Sequence, residues 1–149
     1  MLKYFIENNM GDAERAVNLY KENYAIAAAE EVAEFIKEVT KAERGKLRAD
    51  KMAEEAAHVI ISIFRYMVYN KMDYTDIVVD RLIDATVQRQ LDRLFDLGFS
   101  IMSDTCCVKD CIALVVADVF TLCDKYGVSM DSIKINYVDT IKKIRDGVK

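Results

Sequence analysis

The chain has 149 residues, 52% of them hydrophobic and 31% charged, with a formal net charge of -4. That length suits one domain with a core of its own, and that composition excludes a disordered chain. The acidic balance argues against a general nucleic-acid binder, which carries a basic face. The richest apolar run, Ala56–Phe64, stops at Arg65 and is too short to span a membrane. Met1–Met10 lacks a signal-peptide pattern. The expectation is a cytoplasmic chain with no membrane and no nucleic-acid partner. Cys106, Cys107, Cys111 and Cys123 read as free thiols in that setting. Cys107 and Cys111 share a helical face, yet His58, the single histidine, lies far off and no zinc-finger pattern forms.

The chain has no proline and five glycines, so it carries few forced breaks. We read an all-α fold, a bundle of about six helices in one domain over residues 1–149. The first helix runs from about Asp12 to Asn23, with Asp12 as N-cap after Gly11. The second runs from about Tyr24 to Ala42, continuing the first or kinked from it. Its Ala28, Val32, Phe35, Ile36 and Val39 fall at helical spacing, and it stops near Arg44-Gly45. The third covers about Ala49 to Asn70. A Lys71–Tyr74 connection leads to the fourth, about Thr75 to Leu97, ended by Gly98. The fifth covers about Ser103 to Tyr126 and closes at Gly127. The sixth runs from near Ser129 to about Arg145.

The third helix is apolar around most of its circumference, which predicts burial on nearly all sides. Glu55, His58, Ser62, Arg65 and Tyr69 are nevertheless spaced three, four, three and four apart, and so form one polar seam. Burying that seam unpaired costs several kcal/mol. It must meet water, a metal, a ligand or matching polar groups. The second helix offers a match in Glu30, Glu31, Glu34 and Glu38, whose alternative is a solvated acidic face. Crowded like charges call for a proton or a cation to relieve them, and magnesium is the common ion for oxygen ligands.

The stretches Glu30-Glu31-Val32-Ala33-Glu34, Glu43-Arg44-Gly45-Lys46 and Glu54-Glu55-Ala56-Ala57-His58 together resemble the MazG-like nucleoside triphosphate pyrophosphohydrolases of the all-α NTP pyrophosphatase group. The resemblance covers roughly residues 13–90, and 98–149 reads as a divergent helical hairpin. It implies a Glu-x-x-Glu motif at Glu31 and Glu34, and a second motif opened by Glu55. It also implies magnesium held by these carboxylates, and hydrolysis of a nucleotide between the α- and β-phosphates. His58 stands where the family carries aspartate, and imidazole suits manganese or another transition metal better than magnesium. The candidate metal ligands are therefore Glu31, Glu34, Glu55 and His58, with Glu31, Glu34 and Glu55 as the catalytic carboxylates. Arg44, Lys46, Arg48 and Arg65 are candidates for phosphate, and Ser62, Tyr69 and Asp118 are further site candidates. The family also implies a homodimer or homotetramer.

Asp118 lies in the nearly all-apolar segment Ala113–Cys123. It needs a partner, for which an arginine is favoured over a role in replacing the carboxylate absent at position 58. A di-iron bundle uses the Glu-x-x-His pattern of Glu55–His58 but needs it on two helices. The principal alternative is a protein that binds a nucleotide without cleaving it. A purely structural assembly protein leaves the seam unexplained unless it lies in an interface.

Overall fold

The computed structural model describes residues 2–19, 23–73, 86–103 and 108–147. These form six helices and no strand: α1 (Leu2–Leu19), α2 (Tyr24–Glu43), α3 (Ala49–Tyr69), α4 (Val87–Ser103), α5 (Val108–Lys125) and α6 (Met130–Arg145). The expected all-α bundle is what forms. None of these helices is long and apolar enough to cross a membrane. The expected helical stretch from Thr75 to Ala85, and Tyr74 before it, lie outside the described residues.

α3 is the central element and packs against α1, α2, α5 and α6. Thirteen of its residues are buried, among them Met52, Ile60, Ile63, Phe64 and Met67. The near-continuous apolar surface read from sequence thus has a partner on almost every side. α2 packs on α3 with Val32, Phe35 and Val39 buried, and α4 covers the outer side of α2.

Two glycines expected at helix boundaries lie inside helices. α1 begins at Leu2 and runs through Gly11, and Asp12 bonds Arg15 one turn on instead of capping. The reason is burial: Phe5 and Ile6 are 6% and 1% exposed. Phe5 meets Phe120 and Tyr137 edge-on, at ring-centroid distances of 5.8 and 5.4 Å. Burying each such side chain contributes about 1.5–3 kcal/mol, against about 1 kcal/mol for a mid-helix glycine. α4 likewise runs through Gly98, because Leu94, Leu97 and Ile101 continue one buried stripe past it. It starts at Val87, where the Thr86 hydroxyl accepts from the Arg89 backbone N–H at 3.2 Å.

α2 is a separate helix from α1, opened by the Asn23 side chain, which accepts from the Ile26 N–H. α6 opens in the same way on Ser129. α2 ends in a Schellman turn at Gly45 (φ +76°), with Lys46 N–H on Lys41 O and Gly45 N–H on Ala42 O. That turn sends α3 back antiparallel along α2. α3 closes with the same two bonds around Lys71 (φ +54°). A lysine there costs roughly 1–2 kcal/mol of backbone strain that glycine avoids.

Candidate metal centre on the second and third helices

The antiparallel α2–α3 hairpin brings the middle of α2 against the first half of α3. Glu31, Glu55 and His58 converge there, each offering a ligand atom within 4.8 Å of the others. His58 Nδ1 lies 3.5 Å from Glu31 Oε2 and 3.5 Å from Glu55 Oε2. The Glu55 side chain is 5% exposed, while Glu31 and His58 are half-buried. The cluster thus sits at the rim of an apolar interface, closed beneath and open above. The hydrogen bond to Glu31 raises the His58 pKa above its ordinary value, against the opposing effect of burial; the charges of Glu31, Glu55 and Glu54 add to the rise.

Lys51, which is not among the residues expected at the site, completes this arrangement. Its Nζ lies 2.7 Å from Glu55 Oε1 and 3.4 Å from Glu54 Oε2. The two oxygens of Glu55 therefore face different cations, the ammonium on one side and the imidazole on the other. The signal in the sequence was the four-residue spacing from Lys51 to Glu55.

Glu34, one turn beyond Glu31, stands outside the three-donor group. Its carboxylate is 46% exposed and pairs with Lys37 at 3.6 Å. Glu38 is buried and is held by Arg48 through two hydrogen bonds of 2.9 and 2.6 Å, with Lys41 at 3.6 Å. The Arg48 bonds are the main cause that holds the Glu38 carboxyl below the ordinary carboxylate range, despite burial. Arg48, expected at phosphate, is thus engaged on Glu38. Arg44 is exposed and donates to the Thr40 carbonyl at 3.4 Å, and Lys46 is exposed in the Schellman turn.

The rest of the seam has a different character. Ser62 is buried and donates to the Val59 carbonyl of its own helix at 3.0 Å. The Arg65 guanidinium lies 5.0 Å over the Tyr24 ring, and Tyr69 packs on the same ring at 5.1 Å. The predicted seam thus joins the carboxylate–imidazole cluster through its first two members, while Ser62 bonds its own helix and Arg65 and the exposed Tyr69 lie against Tyr24 of α2.

Asp118 is fully buried and pairs with Arg93 through bonds of 2.7 and 2.6 Å. Gln90 donates to it at 3.3 Å and accepts from Lys125 at 2.9 Å. The expected arginine is therefore present, and Asp118 belongs to the α4–α5 interface. Cys123 is buried, and loss of hydration pushes its thiol up to about 12, so it is inert at neutral pH. Cys106 and Cys107 lie outside the described residues, as does the side chain of Cys111.

Fold and site together define an all-α bundle with a carboxylate–imidazole cluster between two antiparallel helices. Comparison with protein-family models, with curated proteins and with solved structures gives no match.

Proposed function

We propose that this chain is a metal-dependent nucleotide pyrophosphohydrolase of the MazG-like kind, cleaving a nucleotide between its α- and β-phosphates. The observation that carries the reading is the convergence of Glu31, Glu55 and His58 from two helices onto one point. Two carboxylates and one imidazole suit manganese, iron or zinc better than magnesium, so a transition ion is the fitting occupant. When bound, such an ion supplies neutralisation of phosphate charge and an activated water for attack at phosphorus. Glu31 and Glu55 supply the negative charge of the site, and burial of Glu55 fixes its position. Glu34, half-exposed beside the cluster, remains to accept a proton.

A second reading, nucleotide binding without cleavage, is favoured by one specific feature. Lys51 and His58 together meet both oxygens of Glu55, so the protein's own cations already offset part of the charge that a metal would relieve. The test is pyrophosphate release from a panel of nucleoside triphosphates with magnesium or manganese. Turnover that is greater with manganese and lost in Glu31→Gln supports hydrolysis. Tight binding with no turnover under either ion refutes hydrolysis and leaves the binding reading. If neither binding nor turnover occurs, both nucleotide readings fail.

A further inference from the structure

We propose that the α4–α5 hairpin is a second copy of the α2–α3 hairpin, with the Arg93–Asp118 pair standing where the first copy gathers metal donors. One chain thereby supplies both halves of a twofold pair and holds metal in one of them. The repeat itself does not rest on the nucleotide reading.

The helices α3 and α5 repeat each other at a shift of 56 residues. From 58 to 67, every residue has the burial of the residue 56 places later. His58 and Leu114 are half-buried, as are Arg65 and Thr121, and the others are buried. Ile63 and Phe64 thus match Val119 and Phe120. The two helices also end alike at this shift. Lys71 N–H bonds Val68 O and Met72 N–H bonds Met67 O; Gly127 N–H bonds Asp124 O and Val128 N–H bonds Cys123 O. Lys71 and Gly127 both have positive φ. Two amphipathic helices can share a stripe by chance. A stripe that shares its exceptions and its terminal turn in one register is an internal repeat.

The helices α2 and α4 follow suit at a shift of 62. The buried residues of α4 are Gln90, Leu94, Leu97, Ser100 and Ile101, and each falls 62 places after a buried residue of α2. The two shifts differ by six because the second hairpin is that much shorter around its turn. Counterparts also pack on each other: α2 lies on α4 and α3 on α5. Self-matching contact of this kind is what a twofold interface produces.

The polar positions diverge within this frame. Arg93 stands at the place of Glu31, and Asp118 at that of Ser62. Cys111 and Leu114 stand in sequence where Glu55 and His58 do. Carboxylates gathered at one point call for a cation from outside. The second hairpin carries its cation on the chain, with Arg93 bonded to Asp118 at 2.7 and 2.6 Å. It packs without a metal and serves as the fixed half on which α2 and α3 rest.

The test transplants the second hairpin's pair into the first. Ser62→Asp puts a carboxylate at a buried position of α3 without a partner. Glu31→Arg supplies the partner if positions 31 and 62 are related as Arg93 and Asp118 are. We expect Ser62→Asp to lower the urea unfolding midpoint by about 1 M or more, and the double variant Ser62→Asp with Glu31→Arg to recover at least about half of that loss. Ser62→Asp with Glu31→Met, which has a long stem and no charge, should recover none of it. Should Ser62→Asp not fold by itself, folding of the double variant with Glu31→Arg is the recovery. Manganese binding, read by electron paramagnetic resonance, should saturate at about one ion per wild-type chain and be lost in the double variant. If Glu31→Arg gives no more recovery than Glu31→Met, or if Ser62→Asp is as stable as wild type, the hairpins are not equivalent and the proposal is wrong. Two ions per wild-type chain would mean that the second hairpin kept a site, which also overturns it. A wild type that binds no manganese overturns the metal assignment and the hydrolase reading with it, whereas recovery of the midpoint still establishes the repeat.

Discussion

Of the buried acidic groups with basic partners, Asp118 and Glu55 are built differently. Asp118 at the α4–α5 interface is fully buried and gripped by Arg93 through two short bonds, with Gln90 as a third donor. Glu55 at the α2–α3 rim shares one oxygen with Lys51, and its other oxygen stands 3.5 Å from an imidazole that also faces Glu31. The first carboxylate is saturated by a planar fork that leaves it little capacity for a further ligand. The second is held by one flexible cation and one distant ring, and it opens to solvent through half-buried neighbours. A carboxylate with long, exchangeable partners is one a ligand can take over at small cost. The saturated pair is part of the packing.

The largest effect that tests this contrast is Arg93→Met. It leaves Asp118 buried without its main partner, and we expect a loss of about 3–5 kcal/mol in urea unfolding. Glu31→Gln should behave oppositely. Its carboxylate is half-exposed, so we expect a stability change below about 1 kcal/mol, with manganese affinity down by at least about tenfold. Equal stability losses in the two variants would dissolve the distinction.

Much of this contrast was legible in the residues. The α2–α3 hairpin follows from helical spacing and from Gly45, and the seam spacing placed Glu55 and His58 opposite Glu31. An arginine for Asp118 was expected from burial alone. Which arginine was not readable, because Arg93 lies 25 residues away and meets Asp118 only through the packing of α4 on α5. Local propensity sets a helix start after Gly11 and a helix stop at Gly98, whereas tertiary burial of Phe5, Ile6 and Ile101 decides otherwise. The exclusion of Glu34 from the cluster turns on an offset of about 60° around α2 and about 4.5 Å along it from Glu31, within the width of the one face that their spacing defines. Lys51 does not stand out in the sequence, because lysines four residues before a glutamate are common on solvated faces.

The two kinds of site should also respond to pH with opposite sign. Folding raises the pKa of His58 in the metal-free protein. Its stabilising contribution is thus complete below the unfolded value, about 6.5, and is lost as pH rises through the higher folded value. Glu38, saturated by Arg48 much as Asp118 is by Arg93, has a lowered folded pKa. Its contribution is present above the unfolded value and is lost as pH falls through the lower folded one. Urea unfolding across this range should therefore show the alkaline decline flattened by His58→Asn and the acid decline flattened by Glu38→Gln. If His58→Asn leaves the alkaline side unchanged, the imidazole is not paired with Glu31 in solution.

The smallest expected effect divides the seam itself. Ser62 lies one turn beyond His58 on the same face of α3 and was grouped with it by spacing. Its hydroxyl is buried and satisfied by Val59 O within the helix. Ser62→Ala removes the donor, leaves a carbonyl already bonded in the helix ladder, and improves helix propensity by a few tenths of a kcal/mol. We therefore expect a stability change below about 1 kcal/mol, and manganese and nucleotide affinities within about twofold of wild type. A loss of affinity in Ser62→Ala comparable to that in Glu31→Gln would extend the ligand site down the helix, to a hydroxyl that is buried and already bonded within α3. It would also mean that satisfaction by a local backbone carbonyl is too weak a criterion for separating packing groups from binding groups.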